Sequence, residues 1–432
     1  MTSGASCALA QSLVRHKRIG GHTMKVLQVN GYQSPGRRFN GLSLKPHLEA
    51  HGVFSKHFVW EHDRQEEDVV SLDGKILRKI NRFTRGVEKT LSLQSQLYSN
   101  GMHMRRMEAF READLVHYHI IHSGFLSMQS LPSLTADKPT LWTLHDPWAM
   151  TGHCIHPFAC QRWKTGCGQC PDLKTDFAIH RDTTALNFRL KRFAYKRSQF
   201  EVLVASTWME NMVRQSPLME GVPVHKIPFG LDLNFFKPGN QAEAKARLGI
   251  EQNRLVLCFR SVVNDFKGLQ YVIEALERLQ TQVPICLLTL NDKGRVDQFK
   301  NRFQMVELGW TNDDTVMQDV YSATDLFLMP SLADSFGLMA VEAMASGKPS
   351  VCFEGTALPD VIFTPDAGLA VPSRDSAALC AAIERLIHDP QERLRRGEKS
   401  RQLAEQHYDI RLQAERMAAV YERVINNRRK AQ

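Results

Sequence analysis

The chain is expected to be an α/β protein with two parallel-sheet domains facing each other across a cleft. Three observations predict this. Its 432 residues exceed what one hydrophobic core ordinarily serves, and two domains of about 200 residues each are the natural division. Short apolar, β-branched runs alternate with helical patterns along the whole length, as in parallel sheets covered on both faces. Between the halves lies GVPVHKIPFGLDLNFFKPGN, from Gly221, whose prolines and glycines read as an interdomain linker.

The first 23 residues are expected to be an extension outside the folded domains. Their basic cluster follows the apolar patch around Cys7 to Leu9, the wrong order for a secretory signal. A start at Met24, directly before the strand-like KVLQV, is equally acceptable. In the first domain, 24–220, the predicted strands are KVLQV from Lys25, KHFVW from Lys56, DLVHYH from Asp114, TLWTL from Thr140 and EVLVA from Glu201. In the second, 221–408, they are RLVLCF from Arg254, ICLLTL from Ile285, DLFLMP from Asp325 and PSVCF from Pro349. The pattern from Glu392 onward is helical to the end, and 409–432 are expected to pack back on the first domain. Two such domains place a ligand in the cleft, at the carboxyl ends of their strands.

Hydrophobic residues make up 43% and charged residues 23%, the balance of a globular protein in water. No apolar run approaches the roughly 20 residues of a membrane-spanning helix. Cys258, Cys286, Cys352 and Cys380 sit singly in apolar runs and read as small core residues, so the expected compartment is the cytosol. Charge is unevenly shared. Residues 1–200 hold 28 Lys+Arg against 16 Asp+Glu, a net +12, whereas residues 201–432 hold 27 against 30, a net −3. The first half is therefore the candidate to meet an anionic partner.

The sharpest local signal is DLFLMPSLADSFGLMAVEAMASGKPSVCF. A buried strand, Leu326 to Met329, runs into a loop, and a helix is predicted from about Ser335 to Ser346, closed by Gly347 and Pro349. Asp334 falls at the predicted N-cap. Glu342 lies in the middle of a helix that is apolar nearly all round, and a carboxylate there needs a partner. Eight residues of helix rise roughly 12 Å, about the sugar-to-ribose span of a nucleotide-sugar. A helix N-terminus after a parallel strand also supplies donors for a pyrophosphate.

These residues resemble glycosyltransferase family 4, the retaining nucleotide-sugar transferases with two Rossmann-like domains (the GT-B fold). The family's two carboxylates, eight apart around a Phe-Gly pair, correspond to Asp334, Phe336, Gly337 and Glu342. Its strand-end Arg and helix-opening Lys-Gly correspond to Arg260, Lys267 and Gly268 in FRSVVNDFKGLQYVIEAL. The likeness continues through LGW near Gly309, YSATDLFLMPS and HDPQERLRRGEKSRQLAEQHYD. The resemblance implies that Arg260 and Lys267, with backbone N–H groups near Phe336 and Gly337, neutralise a nucleoside diphosphate leaving group. It further implies that Asp334 contacts the transferred sugar, that Glu342 holds the ribose, and that no metal or other cofactor is needed for the chemistry. Asp334 is Glu in most of the family, and Pro228-Phe229-Gly230-Leu231-Asp232 replaces its usual Pro-Asn-Gly-Val-Asp. Both departures bear on donor identity, which is left at a UDP- or GDP-sugar.

In the first half, His117 and His119 end a strand on one face. The same region of the family carries a histidine that reaches the reacting centre, and His119, nearer the carboxyl end, is the candidate catalytic residue beside Asp334. Asn40 and Gly41 match the family's glycine pair only in part. KILRKINRFTRGVEKTL puts Ile76, Ile80, Phe83, Val87 and Leu91 on one helical stripe among basic residues. That suits either a helix lying on an anionic membrane or an ordinary amphipathic helix packed on its own sheet. RLKRFAYKR, from Arg189, adds to the basic surface.

His145 and Asp146 follow the strand at Thr140 and are candidate acceptor-side residues. They lead into TGHCIHPFACQRWKTGCGQCP, residues 151–171, with Cys154, Cys160, Cys167 and Cys170 spaced C-x5-C-x6-C-x2-C. The segment resembles one in a subset of bacterial family members that assemble polysaccharides. A structural zinc, disulfides and free thiols all remain open for it, and a clasp shaping a lid on the acceptor side is the expectation. The expected function is sugar transfer from a nucleotide donor to a saccharide, lipid-linked or free, in bacterial surface polysaccharide synthesis, in the cytoplasm or peripherally on the membrane's inner face. A zinc-clasped nucleic-acid-binding protein would use the cysteines and the positive charge but leaves the Asp334/Glu342 pair unexplained. A catalytically silent sugar-nucleotide binder is the other alternative.

Overall fold

The computed structural model describes residues 23–32, 41–61, 67–72, 74–122, 124–175, 177–264, 266–311 and 313–431. The N-terminal extension up to residue 22, and Asn40, lie outside these. Two all-parallel sheets form the framework. The first contains β1 (Met24–Tyr32), β2 (Val53–Glu61), β3 (Val69–Val70), β4 (Leu115–Tyr118), β5 (Thr140–Thr143), β6 (Glu201–Val204) and β7 (Val224–Lys226), in the order β3-β2-β1-β4-β5-β6-β7. The second contains β8 (Leu255–Ser261), β9 (Ile285–Asn291), β10 (Gln304–Gly309), β11 (Leu326–Met329), β12 (Ser350–Phe353) and β13 (Leu369–Val371), in the order β10-β9-β8-β11-β12-β13. Both sheets are doubly wound, with the order reversing at β1/β4 and at β8/β11. Ligands bind at such reversals, where the loops leaving adjacent strands diverge.

The central strands are buried on both faces, so apolar runs such as LVLC, ICLL and LFLM mark them. Cys258, Cys286 and Cys352 are fully buried within these strands, and Cys380 is buried on the helix Ser376–His388. The first sheet extends past residue 220, because β7 pairs with β6 inside the segment expected to be linker. That segment then crosses to the second domain, where Leu231 bridges Asp409. The C-terminal helix, Ile410–Ala431, lays Ala414, Met417, Tyr421 and Ile425 against Val26, Leu115 and Leu141 of the first sheet. It straps the two domains together.

The helix after β11 begins later than its sequence pattern suggests, at Leu338, and ends at Ala345. Gly337 is its N-cap residue at φ +89°, in the left-handed region. Asp334 is therefore a loop residue rather than an N-cap, and the rise of eight helical residues does not measure its separation from Glu342. The helix Lys75–Leu91 departs further from an ordinary amphipathic helix. Its buried residues are the polar Asn81 and Glu88, while Ile76 and Phe83 are 76% and 73% exposed. Glu88 accepts from the backbone N–H groups of Ser95 (2.9 Å), Gln96 (2.6 Å) and Leu97 (2.8 Å). The apolar stripe consequently faces outward, which removes the reading of a helix packed by that stripe on its own sheet.

Candidate functional site

The second domain gathers its charged residues around the β8/β11 reversal. Arg260 ends β8, and its Nε donates to Asn291 Oδ1 at the end of β9 (2.9 Å). Burial pulls its pKa down, opposed by the negative charge of Asp334 and by Tyr321. Lys267 Nζ donates to Asp334 Oδ2 at 2.9 Å. The lysine is aimed by Gly268, which opens the next helix at φ +70°, where an added Cβ would lie 2.0 Å from the Pro330 carbonyl oxygen. Only glycine lets the two loops approach so closely. Asp334 is held from the other side, its carbonyl accepting from Ala357 N (3.0 Å).

Glu342 is 3% exposed and accepts a 2.6 Å hydrogen bond from the Tyr321 hydroxyl. The partner that a mid-helix carboxylate demanded is thus a tyrosine of the preceding helix. Phe336 is buried edge-on against Phe229 (5.1 Å) and Tyr408 (5.8 Å). Phe229, the residue standing where an asparagine was expected, also stacks face-to-face on His145 (5.4 Å, 10°). It acts as an aromatic wedge between the domains.

On the first-domain side the histidines form one buried chain. His117 bonds Tyr421 (2.8 Å) and Thr143 (2.7 Å), and burial beside His145 and His57 drops its pKa to about 3. His119 Nε2 meets Gln28 Oε1 at 2.8 Å, and its Nδ1 meets His145 Nε2 at 3.1 Å. Gln28 Nε2 donates to Tyr421, so its Oε1 accepts from His119. The proton on His119 is then at Nε2, and Nδ1 receives the His145 N–H. Both ring nitrogens of His119 are engaged within the protein, which makes it a support for His145. Burial lowers the His145 pKa to about 4, partly offset by Asp146. Asp146 accepts from Trp148 N (2.8 Å) and pairs with His122 Nε2 (2.8 Å), and these partners keep its carboxyl below the usual range despite burial.

The cysteine segment is anchored by hydrogen bonds and packing. Lys191, 0% exposed, donates to the carbonyls of Trp148 (2.6 Å) and Thr151 (2.9 Å) and sits 3.3 Å over the Trp148 ring. It thereby leaves the basic surface run in which its sequence position placed it. Cys154, Cys160, Cys167 and Cys170 are free, partly buried thiols. Gly152 N donates to Cys167 Sγ (3.2 Å), and His153 Nε2 lies 3.4 Å from Cys170 Sγ. Burial pushes Cys154 up to about 12 and Cys167 to about 11. Among the described residues no three His, Cys, Asp or Glu side chains are arranged to hold a metal ion.

The segment does not stay over the acceptor side. Its tip crosses the cleft, where Phe158 stacks on Phe266 of the second domain (5.5 Å, 5°). His156, two residues earlier, stacks on Trp208 (5.1 Å, 8°) and lies within electrostatic reach of Asp334 and Lys267. The domains also meet where Ser206 Oγ donates to the Ser335 carbonyl (2.7 Å) and Thr207 N to Asp360 Oδ2 (2.8 Å).

Residues 240–403, which carry Arg260, Lys267, Asp334 and Glu342, match the family "Glycosyl transferases group 1". The match lies wholly within the second domain. The D-inositol 3-phosphate glycosyltransferase of Saccharomonospora viridis is 27% identical over 70% of this chain and 69% of its own length. The glycosyl transferase WcaC of Escherichia coli, assigned to colanic acid biosynthesis, is 23% identical over 78% of this chain and 85% of its own. Among solved structures, sucrose-phosphate synthase from Thermosynechococcus elongatus superposes with a TM-score of 0.67 at 18% identity, covering 94% of this chain and 100% of that one. Anabaena HepE in complex with UDP and glucose gives 0.61 at 18% identity, covering 92% and 99%. The two domains thus adopt the GT-B arrangement of two Rossmann-like domains. His156 stands out in the sequence only as one of two histidines, with His153, crowded among the four cysteines. Gln28, His122, Trp208 and Tyr321 carry no signal there, because each lies some twenty residues or more from its partner and none falls in a spacing pattern.

Proposed function

We propose that the protein moves a sugar from a nucleotide-sugar to a saccharide acceptor with retention of anomeric configuration. The observation that carries this reading is the Lys267–Asp334 pair beside half-buried Arg260 at the β8/β11 reversal, inside the segment that matches group 1 glycosyl transferases. The two cations neutralise the diphosphate as the glycosidic bond breaks, a task that otherwise falls to a divalent ion. Asp334 accepts from the transferred sugar, and Glu342, set by Tyr321, holds the ribose. The Gln28–His119–His145 chain fixes His145 on the opposite wall, with Asp146 and His122 beside it for the acceptor. The complex of Anabaena HepE with UDP and glucose supports a nucleotide-sugar donor.

The acceptor in this reading is a growing surface polysaccharide on a lipid carrier, in keeping with the assignment of WcaC. Among the described residues no helix is long and apolar enough to cross a membrane. The outward stripe of Ile76, Ile80 and Phe83, flanked by Lys75, Arg78, Lys79 and Arg82, supports peripheral docking on anionic lipid.

A thermal-shift screen of UDP- and GDP-sugars, repeated with Glu342→Ala, tests the donor site, and NMR of the product reads the anomer. No stabilisation by any donor removes the transferase reading, and an inverted product removes retention. Flotation with phosphatidylserine vesicles, compared with Phe83→Glu, tests docking. Binding that is insensitive to salt and to Phe83→Glu would refute it.

A further inference from the structure

We propose that His156, carried across the cleft by the cysteine-rich segment, donates a hydrogen bond to the transferred sugar and helps select which sugar is accepted. The proposal rests on the nucleotide-sugar reading above. His156 Nδ1 accepts from Phe158 N at 3.1 Å. In the neutral ring the proton is therefore on Nε2. The side chain is 7% exposed, and among the described residues Nε2 has no hydrogen-bond partner. A buried donor without an acceptor is costly and uncommon, and at a site with charged neighbours it points to a ligand that completes it.

Two contacts hold this N–H in place. Trp208 stacks on the ring and sets its plane. Phe158, at a left-handed φ of +48°, clamps the tip onto Phe266, the residue immediately before Lys267. A neutral donor is thereby held near an accepting carboxylate, Asp334. Sugar hydroxyls both give and accept a hydrogen bond, so a donor and an acceptor placed together suit hydroxyl recognition better than diphosphate recognition. The cysteine segment is then part of the donor site, and its clasp fixes the position of one specificity-determining side chain.

Calorimetric titration of wild type, His156→Ala and His156→Gln with UDP-glucose and GDP-mannose, and with UDP and GDP alone, tests this. His156→Ala should weaken the nucleotide-sugar that wild type binds by about tenfold and leave the matching free nucleotide within about twofold. His156→Gln, which restores an N–H at similar reach, should recover most of the loss. Equal weakening of sugar-bearing and free nucleotide would overturn the proposal in favour of a purely structural role, and so would unchanged affinity for both. If wild type binds UDP or GDP but His156→Ala loses neither form, this inference alone fails. If wild type binds none of the four, the transferase reading fails and takes this inference with it.

Discussion

Lys191 is fully buried against Trp148, and replacing it by methionine gives a test whose size and sign follow from the structure. Burial lowers its pKa from 10.5 to about 7, opposed by Cys167, Cys154 and Asp146 in that order. The unfolded chain holds the proton up to 10.5 and the folded protein releases it near 7. Between those values the unfolded state binds more protons, so stability rises with pH across the window and is lost as pH falls through about 7. At 1.36 kcal/mol per pH unit the drop is worth roughly 5 kcal/mol at its limit. Urea unfolding of wild type and Lys191→Met, followed by tryptophan fluorescence from pH 6.5 to 9.5, isolates this lysine because other titrations cancel in the difference. The difference should move in favour of wild type by about 1 kcal/mol per pH unit above pH 7. A difference flat with pH would refute the reasoning. It would mean that the ammonium stays charged, with Cys154 and Cys167 as thiolates beside it, the state those sulfurs would have around a metal ion.

Three further outcomes follow from single contacts. Gly268→Ala forces a side chain into the left-handed region and against the Pro330 carbonyl, and should cost about 1–3 kcal/mol from backbone strain alone. It should also weaken donor binding by displacing Lys267, measurable by urea unfolding and calorimetry on the same sample. Lys267→Met leaves Asp334 without its ion-pair partner and the diphosphate with Arg260 alone, and should lower kcat/KM by about 10²- to 10³-fold, read in a coupled nucleotide-release assay. Glu88→Ala orphans the backbone N–H groups of Ser95, Gln96 and Leu97. It should destabilise the first domain by about 3 kcal/mol or more, seen as a lower urea midpoint.

Much of this architecture is legible in the order of residues. Parallel strands buried on both faces must be apolar along their length, so LVLC, ICLL and LFLM announce themselves without knowledge of their neighbours. Arg260, Lys267 and Asp334 fall near strand ends and helix starts, and the doubly wound order brings those ends to one place, with Glu342 a turn further along the helix after β11. The helix around Glu342 was visible as an apolar run, but its start was not. Gly337 takes a left-handed turn against Leu358, where an added Cβ would lie 2.4 Å from Leu358 Cδ2, a tertiary contact that no local pattern encodes.

What the sequence by itself determined is thus the fold class, the division into halves, and the identity of the charged groups gathered at the β8/β11 reversal. Local apolarity and short-range spacing suffice for these. Tertiary structure alone decided which way each polar group faces. It turned His119 inward to Gln28 and His145, and turned the apolar stripe of Lys75–Leu91 outward because Glu88 binds three backbone N–H groups on the other side. It also carried the tip of the cysteine segment onto Phe266 in the opposite domain. Hydrogen-bond complementarity between segments tens to hundreds of residues apart made those choices, and such pairing has no signature along the chain until the chain has folded.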